Sequence, residues 1–256
     1  ALPIWRPDPL QRVRAFIIHL ERAEKRRPQV ETLLRQLPIP AEIVAGVDGL
    51  KLGAEEIAAV YRRRLHRPGY AFRLRDTEIA CFLSHRRAWQ AIVDSDAEAG
   101  LVVEDDVAID ERFADVFAFA ATAAGARDYV RFPRWTRGEE GEILHRSGDM
   151  AIIEPFLPAL GMQAELVGRE AAGLLLAATE TFDRPVDSIV QMQWLHGARV
   201  LSARPIVVRE IDRELGGTVL QNKKMPFLER LAHEVRRPLS RAAIARRNRQ
   251  WRKTSI

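Results

Sequence analysis

The chain has 256 residues, 47% of them hydrophobic, and its 40 Lys and Arg against 35 Asp and Glu leave a formal net charge of +5. That apolar fraction excludes a mainly disordered chain and suffices for one large α/β domain or two small ones. The single cysteine, Cys81, excludes an intramolecular disulfide framework and fits a reducing compartment. No apolar run reaches the roughly 20 residues of a membrane span, and the opening residues lack the layout of a secretory signal.

In chain order, Ala15 to Leu20 reads as a first strand and Ala23 to Leu37 as a helix with Val30, Leu33, Leu34 and Leu37 at helical spacing, stopped by Pro38 and Pro40. Arg22, Lys25, Arg26 and Arg27 cluster where that strand hands over to the helix. There they either form a solvated basic face or suit a diphosphate. Ala41 to Ala45 reads as a second strand, and Gly46 to Gly49, with Asp48 between the glycines, as a turn. Ala54 to Leu65 is a predicted helix, and His66 to Gly69 a basic loop. The clearest helix follows, capped by Asp76 or Thr77, with Glu78 in its first turn and Ile79, Leu83, Arg86, Trp89, Ile92 and Val93 on one face through to Asp94. Ser84 and His85 fall mid-helix, where packing competes with function for His85.

Leu101 Val102 Val103 then reads as a short buried strand that runs straight into Glu104, Asp105 and Asp106. Crowded carboxylates at a strand end repel one another and lose solvation, so a divalent cation or a set of arginines is the natural compensation; a solvated turn is the plain alternative. In an open α/β sheet, ligands gather beyond the carboxyl ends of the strands, where these acids would lie. Phe113 to Ala123 reads as an Ala-rich helix, Tyr129 to Phe132 as a strand, and Trp135 to Asp149 as a loop or mobile hairpin able to act as a lid. Ala151 to Ile153 and Met162 to Val167 are further strands, Arg169 to Thr181 a helix, and Arg184 to Leu195 another. Asp187 can cap that last helix or serve a site. Val200 Leu201 and Pro205 to Val208 are read as completing the sheet.

From Arg230 onward the chain turns basic, with Arg236, Arg237, Arg241, Arg246, Arg247, Arg249, Arg252 and Lys253 interleaved with apolar residues. One or two helices outside the main core are expected, lying on an anionic membrane surface or gripping phosphates of nucleic acid. No helix-turn-helix, zinc spacing or aromatic sheet signature accompanies them. The membrane surface is therefore favoured, and no nucleic-acid partner is expected.

Five segments in order, Ile17 Ile18 His19 Leu20 Glu21 Arg22 with Arg26 Arg27, Ala45 to Gly49, Glu78 to His85, Val102 to Val107, and Ala164 to Val167 with Pro185 Val186 Asp187, resemble glycosyltransferase family 25. The resemblance implies a GT-A fold, an α/β Rossmann-like mixed sheet flanked by helices, assigned to residues 1–225, and the basic helical tail read from charge is assigned to 226–256. It also implies an inverting hexosyl transfer from a nucleotide-sugar, a UDP-sugar first, onto a bacterial cell-surface glycan, with Mn²⁺ or Mg²⁺ as cofactor. On that basis Glu104 and Asp106 would hold the metal, and Arg22, Arg26, Asp48 and Asp105 would serve the donor nucleotide or orient the ligands. Asp187, with Glu78 second, would be the catalytic base. The place of action would be cytoplasmic, peripheral on the inner face of the membrane.

Overall fold

The computed structural model describes residues 9–136, 139–215 and 227–254, with side chains over 10–136, 139–215 and 239–254. A 3-10 turn Pro9–Arg12 leads into β1 (Val13–His19), a 3-10 turn Glu24–Arg26 into α1 (Arg27–Gln36), and then come β2 (Ala41–Ala45), α2 (Ala54–Val60), α3 (Asp76–Asp94) and β3 (Ala99–Glu104). They are followed by β4 (Val107–Ile109), α4 (Phe113–Ala123), β5 (Asp128–Arg131), β6 (Gly141–Ser147), β7 (Met150–Pro155) and β8 (Ala164–Gly168). The remaining elements are α5 (Arg169–Ala178), α6 (Val186–Val190), α7 (Gln193–His196), β9 (Arg199–Arg204), β10 (Val208–Glu210) and α8 (Phe227–Thr254).

The main sheet has eight strands in the order β2-β1-β3-β8-β5-β9-β7-β6. β1 pairs in parallel with β2 and β3, whereas β8 runs antiparallel between β3 and β5, which makes the sheet mixed. Alternation along the strands builds a core on each face. Ala15, Ile17, Leu101 and Val103 meet Val30 and Leu33 of α1 and Val116 and Phe117 of α4 on one side. Phe16 and Val102 meet Phe82, Trp89 and Ile92 of α3 and Leu175 of α5 on the other. Strands buried on both faces read as continuous apolar runs, and Leu101 Val102 Val103 is such a run. The α/β mixed sheet flanked by helices is thus the architecture expected.

Several elements differ from their sequence reading because tertiary partners override local pattern. The helix expected to run from Ala54 to Leu65 stops at Val60, where Tyr61 forms a parallel bridge with Phe182 and the Arg62 N–H donates to the Phe182 carbonyl. The helix expected to reach Thr181 stops at Ala178. The one expected to run on to Leu195 is split into α6 and α7. Of the two readings for 135–149, loop or mobile hairpin, the hairpin is the one found: residues 141–147 form edge strand β6, paired with β7 across a tight turn. Pro205 to Val208 does not complete the main sheet; Val208 opens β10, which pairs with β4 in a separate two-stranded sheet.

The basic tail forms one helix, α8, and its described part packs on the main body instead of standing outside the core. Ile244 joins the α3/α5 cluster, and fully buried Asn248 donates to the Gln191 carbonyl at 2.9 Å and accepts from the Gln193 N–H at 3.2 Å. Arg252 pairs with Glu154 at 2.9 Å, so some of the basic charge is neutralised within the fold. The side chains of Arg230, Arg236 and Arg237 lie outside the described residues, as do residues 1–8 of the opening stretch. No described helix is long and apolar enough to cross a membrane.

Candidate active site at the carboxyl end of β3

The parallel register that sets Ile18 beside Glu104 brings the ends of β1 and β3 together, so His19 emerges next to Asp105. His19 Nδ1 lies 2.7 Å from Asp105 Oδ2, and Arg26 donates to Asp105 Oδ1 at 2.6 Å. The same Arg26 nitrogen is 3.0 Å from Asp106 Oδ2. Burial works against the Arg26 charge, but Asp106 and Asp105 outweigh it, and its guanidinium is held more firmly protonated than usual. Both oxygens of Asp105 are thereby engaged inside the protein. Asp106 keeps one: its Oδ1 is buried with no partner among the described residues. Burial pushes the Asp106 carboxyl up despite Arg26, with Asp105 and Asp212 adding to the rise.

Glu104 ends β3, and its carboxyl is pushed well up, first by burial and then by the charges of Asp106, Glu165 and Asp105. Its Oε1 lies 3.2 Å from Nε2 of buried His85, whose own basicity is lowered to about 3 by burial, so the ring meets Glu104 as a neutral imidazole. Next to them Glu165, on β8, is pushed up to about 8 by burial, partly offset by Arg131. The chain therefore concentrates carboxyl groups here with fewer cations than charges, and the oxygen-rich donors Glu104 and Asp106 fit a hard divalent ion.

Helix α3 supplies the opposite wall. Glu78, Cys81 and His85 are spaced by three and four residues and share a face. The helix starts after Arg75, whose N–H donates to Glu78 Oε2 at 2.8 Å; this makes Arg75 the N-cap position in place of Asp76 or Thr77, with Glu78 closing the first turn. Ser84 Oγ accepts from the Val47 N–H at 2.8 Å and donates to the Ala80 carbonyl at 2.8 Å, tying the helix to the turn after β2. In that turn Asp48 accepts from the Leu50 N–H at 3.0 Å and from Arg22 at 2.9 Å.

A cavity of about 1020 Å³ opens beside Glu104, and Glu78, Cys81, Arg134, Gln163 and Asp187 share its lining. Residues of loop 64–72 and Leu239, Ser240, Arg241 and Ile244 of α8 also line it. Asp187 does not cap its helix: Pro185 is the N-cap, and Asp187 Oδ2 accepts from the Gly161 N–H at 3.1 Å across the cavity wall. Glu104, Glu78 and Asp187 thus face one space. Arg26, Asp105 and Asp106 form the charged turn beside Glu104, and Arg22 and Asp48 pair with each other; none of these five is among the residues lining the cavity. Sequence reasoning gave no role to His19, Cys81 or Glu165. The spacing of Glu78, Cys81 and His85 could have revealed Cys81, whereas His19 and Glu165 arrive only through strand pairing.

A family model described as "Glycosyltransferase family 25 (LPS biosynthesis protein)" matches residues 13–141. Human procollagen galactosyltransferase 2 is 36% identical over 110 residues, which is 42% of this chain and 18% of that protein. A Drosophila melanogaster glycosyltransferase 25 family member is 30% identical over 192 residues, 71% of this chain and 30% of that protein. A Bos taurus protein named probable inactive glycosyltransferase 25 family member 3 is 31% identical over 116 residues, 43% of this chain and 19% of that protein. The chain therefore spans less than a third of the length of each of these relatives.

Proposed function

The chain belongs to glycosyltransferase family 25, and from that premise we propose that it transfers a hexosyl group, galactose first, from a UDP-sugar with inversion onto a bacterial cell-surface glycan such as lipooligosaccharide, LPS core or capsule. The observation that carries this reading is the pair Glu104 and Asp106. Both carboxyls are pushed up in pKa at the carboxyl end of β3, and one oxygen of Asp106 is left without a partner among the described residues, beside a cavity that also receives Glu78 and Asp187. Names of relatives, a procollagen galactosyltransferase among them, support the hexose.

Glu104 and Asp106 would hold Mn²⁺ or Mg²⁺, which when bound supplies positive charge to a departing diphosphate. Arg26 keeps Asp105 and Asp106 in position, and Arg22 with Asp48 serves the nucleotide from the turn that Ser84 anchors. The acceptor hydroxyl oxygen attacks the anomeric carbon as the bond from that carbon to the diphosphate breaks, and the bonding pair leaves with the diphosphate. The hydroxyl proton passes to the Asp187 carboxylate. Glu78 is the second candidate base, already tied to the Arg75 N–H. The basic face of α8, where Arg246, Arg249 and Lys253 are exposed, would rest on anionic lipid at the inner membrane surface.

The test is transfer from a panel of UDP-sugars with and without Mn²⁺. Asp106→Ala is expected to lose turnover while keeping its circular dichroism spectrum, and full turnover in that variant overturns the metal assignment. A second reading, a glycan- or nucleotide-binding relative without catalysis, has its own support: Arg26 already offsets Asp105 and Asp106, and one relative's name marks it as inactive. It predicts binding without turnover across the whole panel.

A further inference from the structure

We propose that Cys81, His85 and Glu104 form a second cation site, for a borderline divalent metal of the zinc class, overlapping the hard-cation site through Glu104. Cys81 and His85 lie one helical turn apart on α3 and face the end of β3. A ligand atom from each of the three residues lies within 4.8 Å of the other two. Around a tetrahedral zinc, with bonds of about 2.0 to 2.3 Å, ligand atoms sit roughly 3.3 to 3.8 Å apart, so closure asks for side-chain adjustments of about an ångström. A nitrogen, a sulfur and an oxygen donor are a three-ligand set, and the cavity that Cys81 and Glu104 line leaves the fourth position open to water or substrate.

The burial of His85 adds to the argument. His85 is 1% exposed, its Nε2 is directed at Glu104, and its Nδ1 has no hydrogen-bond partner among the described residues. A helix that served only to pack would gain by replacing a buried, half-satisfied imidazole with an apolar side chain. Burial first, and then the charges of Glu104, Asp187, Asp106 and Glu165, push the Cys81 thiol well up, so a metal must displace its proton; the same negative surroundings attract a cation. On binding, the thiol exchanges its proton for the metal: a sulfur–metal bond forms, the S–H bond breaks, and the proton leaves to buffer. Ligand softness sorts the ions, with Mn²⁺ and Mg²⁺ going to the carboxylate oxygens of Glu104 and Asp106 and Zn²⁺ or Co²⁺ to the thiolate and imidazole. Because Glu104 is shared, a zinc-class ion would inhibit transfer; that consequence alone rests on the function proposed above.

The experiment is a Co²⁺ titration of the full chain after chelator treatment, followed by absorption. The expected result is a thiolate-to-cobalt charge-transfer band in the near ultraviolet that saturates at one equivalent. Cys81 is the only cysteine in the sequence, so such a band has one possible source. Cys81→Ser is expected to abolish it while the thermal melt stays within a few degrees of wild type, and His85→Ala to weaken Co²⁺ binding at least about tenfold. A folded wild-type protein that takes up Co²⁺ without the band, or takes up none, overturns the site, and that outcome is read on wild type without any variant. Mn²⁺ binding, read by electron paramagnetic resonance, separates this inference from the functional reading. Its retention in Cys81→Ser is expected, and its absence from wild type beside an intact cobalt band would sink the hard-cation site and leave this one standing.

Discussion

Arg26 is the residue on which the acidic turn depends. It reaches Asp105 at 2.6 Å and Asp106 at 3.0 Å, and its side chain is only 10% exposed. Removing one partner of a buried ion pair leaves uncompensated charge, so Arg26→Ala is expected to lower stability by about 3 kcal/mol, read from the urea midpoint. A change below about 0.5 kcal/mol would mean that water already solvates the turn. Asp187 is a different kind of residue, since its carboxylate faces the cavity and takes one backbone N–H from Gly161. If it takes the acceptor proton as proposed, it is replaceable in shape and not in chemistry: Asp187→Asn is expected to cut kcat by about 10²- to 10⁴-fold with little change in donor KM. Equal loss in both Asp187→Asn and Glu78→Gln would leave the base unassigned.

Helix α3 is the element that turns the carboxyl end of β3 into a site. Its buried side packs Phe82 face to face on Phe182, with centroids 3.8 Å apart, and sets Trp89 against the sheet, which fixes the rotation that sends Glu78, Cys81 and His85 toward β3. Its N-terminal turn is also pressed by the loop after β2. A Cβ on Gly49 would lie 2.8 Å from Thr77 Cα and 2.9 Å from the Asp76 carbonyl, backbone that cannot yield as a side chain does. Gly49→Ala is therefore expected to cost about 1 to 3 kcal/mol in thermal or urea unfolding and to loosen the Arg22–Asp48 pair, seen as weaker nucleotide binding. An unchanged midpoint would show that the loop moves aside freely.

At the scale of the whole molecule, buried titratable groups shape the response to pH. Glu165 has its carboxyl raised to about 8 from an ordinary 4.5, so the folded state holds a proton that the unfolded state has lost; its contribution is present below pH 4.5 and disappears as pH rises through 8. His196 and His85, lowered to about 4 and about 3 from 6.5, act the other way: their contribution is present above pH 6.5 and is lost as pH falls through those values. Stability is thus expected to decline on both flanks of the mildly acidic range. Between pH 6.5 and 8 the histidines no longer contribute a slope, and Glu165→Gln should flatten the wild-type decline by on the order of 1 to 2 kcal/mol. Parallel curves for the two proteins would place the decline in another group, such as Glu104.

The sequence by itself determined the elements whose pattern is local: β2 at Ala41–Ala45, α3 to Asp94 and α4 at Phe113–Ala123 stand where spacing put them. It also determined the family, through motifs whose residues meet at the ends of β1 and β3, and it marked the acidic triplet as anomalous because three charges after an apolar strand have no local explanation. Only the tertiary structure decided the rest. That Val60 ends a helix depends on Phe182, and that β6 is a strand depends on β7. That His19 holds Asp105 depends on a parallel register between residues 86 apart in sequence, and that Glu165 shares the neighbourhood of Glu104 depends on a strand inserted antiparallel beside β3. Periodicity reports which face of an element is apolar; which groups then converge on a cavity is set by strand order and packing, and these pair residues far apart along the chain.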